Sequence, residues 1–227
     1  MTIKAFVFDC GGVLLRDGDI SAYQEWEAEL GLKPGDLRER LWEGEPWTSA
    51  ECGKLTDAQF WAQIGEHFGL SDAEQIATLR EQFWNTWVID EQVLALVERV
   101  REKYRVAMLS NSTDALKDLL ENRYHVADRF EIIVNSALLG TAKPDQAIYK
   151  EMLRQLDLKA NEVVFIDDRA ENIAAAAAMG IHVIWFVHAD ELERQLAIYL
   201  GSEAQAPQGV VVSAEDVDKS PEQNIGT

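Results

Sequence analysis

The sequence predicts an α/β fold: a Rossmann-like core on a parallel sheet, with a helical cap inserted after the first strand. Three observations predict it. Five short β-rich runs occur, at residues 3–8, 105–109, 131–134, 162–166 and 182–187. Helical patterns at 112–122, 144–156 and 170–179 separate the last four, and such alternation gives a parallel sheet with right-handed crossovers. Between the first two runs lie about ninety residues with no convincing strand and many helix signals.

Each element has its own signature. Ala5-Phe6-Val7-Phe8 is apolar throughout, as a buried parallel strand should be, and it ends at Asp9 and a turn containing Gly11 and Gly12. In the long insert, Thr56-Asp57-Ala58-Gln59 and Ser71-Asp72-Ala73-Glu74 both have the form of capping boxes, while Gly31, Pro34 and Gly69 punctuate the helices. Residues 91–103 read as the helix that leads back to the core. Six of the seven tryptophans, Trp26, Trp42, Trp47, Trp61, Trp84 and Trp87, lie in or beside the insert. They form the core of a small helical layer, or one or two of them line a substrate cleft. Pro144 suits a first helical turn, and the alanines of 174–178 suit close packing on a sheet. The domain reading is therefore 1–15 with 89–200 as the core, 16–88 as the cap, and 201–227 as a disordered acidic tail, in which 209–212 could dock as an edge strand.

Composition sets limits on function. The chain has 227 residues, of which 47% are hydrophobic and 27% charged, ordinary for a globular protein. The formal net charge of −19 argues against nucleic acid or an anionic membrane as partner. An anionic substrate must then meet a local positive cluster or a metal. Cys10 and Cys52 stand in no redox or metal spacing, so no disulfide framework is expected and a reducing cytoplasm is the expected location. Asp9 interrupts the first apolar run too early for a signal peptide, and no stretch is long and apolar enough to span a membrane. A monomer and a homodimer are equally compatible with the sequence.

Four segments carry chemistry. Asp9 ends the first strand, where an isolated aspartate can equally be a turn former. Ser110-Asn111 ends the second; Ser110 could bind a phosphate oxygen, although Ser and Asn are also ordinary helix caps. Lys143 precedes Pro144 and would face the C-terminal edge of the sheet, where it can neutralise a carboxylate and a phosphoryl group together; alone it would read as a solvated lysine. Asp167-Asp168 ends the apolar run Val163-Val164-Phe165-Ile166, and two adjacent acids at a buried strand end need a counter-charge. Mg²⁺, which prefers oxygen ligands, is the natural one; a helix cap complementing the dipole is the alternative. Asp9 and the acid pair would be neighbours if the chain reverses direction around the first strand, at the topological switch point where ligands bind.

Together these segments resemble the haloacid dehalogenase-like hydrolase superfamily, in the branch with a helical cap between its first two motifs. Asp9-Cys10-Gly11-Gly12-Val13 looks like the first motif, Ser110-Asn111 the second, Lys143-Pro144 the third and Asp167-Asp168 the fourth. Ile148-Tyr149 and Asn172 are similar to this branch as well, and the match covers about 3–190. The resemblance implies a Mg²⁺-dependent phosphatase acting on a small phosphorylated metabolite. Asp9 would be the nucleophile and form an aspartyl-phosphate. Mg²⁺ would be held by Asp9, the Gly11 carbonyl and Asp168, with Asp167 contributing directly or through water. Ser110 and the Asn111 backbone would hold the phosphoryl oxygens, Lys143 would fix Asp9 and offset charge, and Asn172 would position the acid loop.

One departure stands out. Many phosphatases of this family carry a second aspartate two positions after the nucleophile, as general acid and then base. Here that position is Gly11, which cannot transfer protons. Anomeric sugar phosphates and acyl phosphates need least help in leaving, and members with a small residue here resemble hexose-1-phosphate phosphatases, so a sugar phosphate is favoured. Asp17 and Asp19 could stand in for the acid or be solvated turn residues. Cys10 should point away from the site and pack. Arg169 is either a surface residue or a cleft cation, and His67, His125, His182 and His188 form no metal spacing. Two other readings remain: a non-catalytic module whose activity was lost through Gly11, and a 2-haloacid dehalogenase, against which the adjacent acids argue because they would repel an anionic substrate.

Overall fold

In the computed structural model, which describes residues 2–42 and 44–201, the chain begins with β1 (Ala5–Phe8), a turn, and a short β2 (Leu15–Asp17). Five helices follow: α1 (Ser21–Glu29), α2 (Asp36–Trp42), α3 (Glu45–Glu51), α4 (Asp57–His67) and α5 (Ala73–Asn85). The chain returns through β3 (Trp87–Ile89) and α6 (Glu91–Arg101) to β4 (Arg105–Ser110). Then come α7 (Leu116–Asp118), β5 (Ile132–Asn135), α8 (Ser136–Leu139), α9 (Gln146–Leu156), β6 (Val163–Asp167), α10 (Ala170–Ala178), β7 (His182–Trp185) and α11 (Ala189–Leu200). The acidic stretch 202–227, with its 209–212 run, lies outside the described residues.

The main sheet is parallel, in the order β5-β4-β1-β6-β7. β1 is therefore central, and Phe8 pairs with Met108 on one side and Ile166 on the other. That register brings Asp9 level with the ends of β4 and β6, at the point where the chain crosses from one half of the sheet to the other. Alternating side chains feed two cores. Phe6, Phe8, Met108, Val164 and Ile166 pack against α6 and α11; Val7, Ala107, Leu109, Val163 and Phe165 pack against α9 and α10. With both faces covered, the strands have no polar face, which is why they read as continuous apolar runs.

The insert has its own core. Trp26, Trp47, Trp61, Trp84, Phe60 and Phe83 are buried together with Leu37, Leu41 and Leu79. Their rings meet edge to face, as between Trp61 and Phe83, whose centroids are 5.0 Å apart. The tryptophans thus serve as the core of the helical layer. Thr56 forms the expected capping box with Gln59.

Four local expectations need correction. The insert is not free of strand: β2 and β3 pair antiparallel at its two ends, Arg16 with Val88, and tie its entry to its exit. The cap of α5 is Asp72, whose carboxylate accepts from the Glu74 N–H, so the Ser71 box does not form; the carboxylate is the nearer acceptor for the first turn. Pro144 lies outside its helix, because the Asp145 carboxylate accepts from the Ala147 N–H at 2.8 Å and makes Asp145 the cap. Helix signals at 112–122 produce only α7 and a π-turn at Leu119–Arg123, since residues 112–114 are committed to contacts elsewhere in the fold.

Candidate active site

Lys143 is the centre of the site. Its side chain is buried, and its Nζ lies 2.7 Å from Asp9 Oδ1 and 2.7 Å from Asp167 Oδ2 while donating to the Leu109 carbonyl at 3.0 Å. All three donor positions of the ammonium are thereby used, so its place is fixed. Asn111 sets the loop that delivers it: the Asn111 amide accepts from the Lys143 N–H at 2.8 Å and donates to the Lys143 carbonyl at 2.9 Å.

Asp9 Oδ1 also accepts from the Cys10 N–H at 2.7 Å. Among the described residues nothing donates to Asp9 Oδ2, which leaves one carboxylate oxygen free for chemistry. Asp167 is the opposite case. Its Oδ1 accepts from the Arg169 N–H and its two oxygens share the Asn172 amide, at 3.0 and 3.1 Å, besides the bond to Lys143. Asn172 is held in turn, its carbonyl accepting from the Tyr149 hydroxyl at 3.0 Å. Ser110 is buried beside this cluster, and the contact of its hydroxyl with the Asn111 carbonyl, at 3.5 Å, is long enough to leave it available.

Electrostatics follow from burial. Burial pushes the Asp9 carboxyl well above the ordinary carboxylate range; Lys143 pulls it back, and Asp167 and Asp168 add to the rise. Asp168 is raised by burial and then by the Asp167 charge. For Lys143, burial works against the charge, but Asp9 and Asp167 overcome it and hold the ammonium above its ordinary range. One lysine thus faces three acids. Asp9, Asp167 and Asp168 each offer an oxygen, all within 4.8 Å of one another, a donor set of hard oxygens that suits Mg²⁺.

The structure brings together Asp9, Asn111, Lys143, Asp167, Asp168 and Asn172, with Ser110 buried next to Asn111 at the end of β4. Gly11 lies in the same turn, with open space where a side chain would be. Asp17 and Asp19 are elsewhere: Asp17 pairs with Arg38 at 2.6 Å, and Asp19 accepts from the Ser21 N–H. Cys10 packs in the main core, where burial pushes its thiol up. Arg169 is exposed and paired with Glu171 at 2.6 Å.

Sequence reasoning missed three things. Gly12 has φ +81°, and a Cβ there would collide with the Asp168 carboxylate, so this glycine gives Asp168 its room. Asp57 joins the insert to the loop after β4: its carboxylate accepts from the Thr113 hydroxyl at 3.0 Å and from Arg80 at 2.7 Å, while its N–H donates to Asp114 at 2.6 Å. Glu51, at the end of α3, is half-buried, and burial raises its carboxyl above the ordinary range. Asp57 and Glu51 carry no sequence signal beyond a polar residue near a helix end, and Gly12 none beyond that of a turn glycine.

A strand-end carboxylate, a buried lysine and an acid pair around the switch point of a parallel sheet define a hydrolase of the haloacid dehalogenase-like class. The chain belongs to that family, whose model, described as haloacid dehalogenase-like hydrolase, matches residues 3–180. It is 32% identical over 181 residues to the sesquiterpene phosphatase astK of Aspergillus oryzae, covering 79% of this chain and 88% of that protein. It is 25% identical to D-ribitol-5-phosphate phosphatase of Bacteroides thetaiotaomicron, over 88% of this chain and 100% of that one. A wild-type HAD family enzyme from Bacteroides thetaiotaomicron, solved with magnesium and inorganic phosphate, superposes with a TM-score of 0.66 at 26% identity, covering 81% of this chain and 93% of that one. Some relatives are far longer: the chain spans 19% of acyl-CoA dehydrogenase family member 10 of Mus musculus.

Proposed function

We propose that this chain is a Mg²⁺-dependent phosphatase that hydrolyses a small phosphomonoester, a sugar phosphate by preference, through an aspartyl-phosphate on Asp9. The observation that carries this reading is the bridge of Lys143 between Asp9 and Asp167, with Asp168 within reach of a shared cation. Lys143 holds Asp9 Oδ1, so Oδ2 is the oxygen that attacks phosphorus. Ser110 and the Asn111 backbone take the non-bridging phosphoryl oxygens, and Lys143 offsets charge as the phosphoryl group moves. Asp9, the Gly11 carbonyl and Asp168 are the direct metal ligands. Asp167, whose oxygens already accept from Lys143, Asn172 and the Arg169 N–H, acts through water. Bound there, Mg²⁺ supplies charge neutralisation for the acids and the phosphoryl oxygens. Asn172, steadied by Tyr149, keeps the acid loop in place.

Residues 1–15 and 89–200 serve as the catalytic core and 16–88 as the cap that selects the substrate. The ribitol-phosphate and sesquiterpene phosphatases among the relatives support phosphoester chemistry and leave the substrate class broad. Among the described residues no helix is long and apolar enough to cross a membrane. The test is phosphate release from glucose 1-phosphate, glucose 6-phosphate, ribitol 5-phosphate and acetyl phosphate, with Mg²⁺ and with chelator. Turnover that needs Mg²⁺ and disappears in Asp9→Asn is expected. Release that survives Asp9→Asn would remove the aspartyl-phosphate route, and preference for the 6-phosphate would remove the anomeric preference inferred from Gly11.

A further inference from the structure

Six of the seven tryptophans lie in or beside the insert; the seventh stands beside the acid pair. Trp185 ends β7 level with Asp167, and at 44% exposure it is the one exposed tryptophan among the described residues. Its neighbour Ile184 fills the core against α6 and α11, so Trp185 falls on the other face with Val183, towards α10. An indole left nearly half exposed gains less from burial than its six counterparts. What it has is a fixed polar contact: Nε1–H donates to the Asp168 carbonyl at 2.9 Å.

That contact completes a grip on Asp168 from both sides. The peptide before Asp168 is held through the Asp167 carbonyl, which accepts from the Phe186 N–H at 2.9 Å. The peptide after it is held at both ends. Its carbonyl, that of Asp168, is bound by Trp185, and its N–H, that of Arg169, donates to Asp167 Oδ1 at 2.8 Å. Because peptides are planar, fixing these two planes fixes both backbone angles of Asp168. The Asp168 carboxylate has no such anchor of its own. Among the described residues no side chain donates to it, whereas the Asp167 carboxylate accepts from Lys143 and Asn172. It is placed by the backbone beneath it and by the space that Gly12 leaves. Two consecutive residues at the end of β7 thus set the direction in which Asp168 points. Phe186 acts through its main chain, which any residue but proline would supply; Trp185 acts through its side chain, which only a donor would.

Resting on the Mg²⁺ reading above, we propose that Trp185 is a positioning residue for the cation: its indole N–H, by holding the Asp168 carbonyl, keeps the Asp168 carboxylate gathered with those of Asp9 and Asp167. In the structure the three offer oxygens within 4.8 Å of one another. Without the indole bond the carbonyl end of the peptide after Asp168 is released, and the three acids converge in only a fraction of the molecules. A cation then meets a site weakened in proportion to that fraction. The deficit is one of occupancy and not of chemistry, so more Mg²⁺ makes it good.

Trp185→Phe keeps a ring and removes the N–H. Titration calorimetry should give Mg²⁺ binding about 10–100-fold weaker than in the unmodified protein, the usual worth of a group that holds a metal ligand in place. Trp185→Ala should weaken it to the same degree. Urea unfolding of Trp185→Phe in chelator should match that of the unmodified protein, which separates this role from packing. The indole N–H resonance that vanishes in Trp185→Phe should move when Mg²⁺ is added to the unmodified protein. Phosphate release by Trp185→Phe should need correspondingly more Mg²⁺ and recover to within about twofold at saturation. Unaltered Mg²⁺ affinity in Trp185→Phe, or weakening in Trp185→Ala alone, would overturn the role of Trp185 while leaving the metal site intact. If Mg²⁺ fails to bind the unmodified protein, or binds Asp168→Asn equally well, the metal reading falls and this role falls with it.

Discussion

Gly12 and Asp168 occupy what would be one space: the carboxylate of Asp168 lies where a side chain at position 12 would have to be. The backbone at Gly12, with φ +81°, adds a second reason for glycine. Gly12→Ala should therefore cost about 1–3 kcal/mol of stability from backbone strain. It should also push Asp168 away from Asp9. Urea unfolding would give the first effect. Titration calorimetry with Mg²⁺ would give the second as weaker binding.

Lys143 is buried between two acids, and its removal should be felt in folding as well as in activity. Breaking a buried ion pair from one side costs about 3–5 kcal/mol, because the remaining charge has no partner. Lys143→Met should lose stability of that order and release no phosphate. Adding Asp9→Asn to Lys143→Met should return part of the stability, since it removes one of the unpaired charges. A double-mutant cycle by urea unfolding would read the coupling.

Mg²⁺ should stabilise the fold. A cation at one hundred times its Kd adds about 2.7 kcal/mol if it binds only the folded chain. For a protein of this size that is a rise in Tm of about 2–4 °C per kcal/mol. Melting with Mg²⁺ and with chelator should show it, and Asp168→Asn should abolish most of the shift. An equal shift in the variant would move the metal off Asp168.

Asp57 should prove to be a fastening rather than a reactive group. Its removal breaks bonds to Thr113 and Arg80. Asp57→Ala leaves the Thr113 O–H without its acceptor, a cost of about 1–3 kcal/mol for a buried polar group. Amide exchange at the start of α4 and in residues 112–114 should speed up together. Faster exchange in only one of the two would mean that they are not coupled.

The main sheet was legible because strands buried on both faces are written as apolar runs, and the site because its residues stand where those runs end. What escaped reading has a common cause in distance along the chain. β2 and β3 are three residues each, too short for a pattern, and they exist because Leu15 pairs with Ile89. The helix expected from 112 starts at Leu116 because the Ser112 N–H donates to the Ser136 hydroxyl and Asp114 serves the cap of α4. Prolines favour first turns, which points Pro144 into the helix; the Asp145 side chain, which caps it, is the stronger signal. Gly12 was visible as a turn glycine, while the carboxylate that fills its space comes from 156 residues further on (168 − 12).

The bonds that Asp57 makes bear on how such a protein could be redesigned. The insert is seated on residues 113 and 114, immediately after the Ser110-Asn111 pair at the end of β4. A chimaera that imported another relative's helices between β2 and β3 would leave Thr113 and Asp114 facing a foreign surface. The transplantable unit is therefore discontinuous: the helices together with their seat beyond β4. Exchanging both at once is the way to move one specificity onto another chassis.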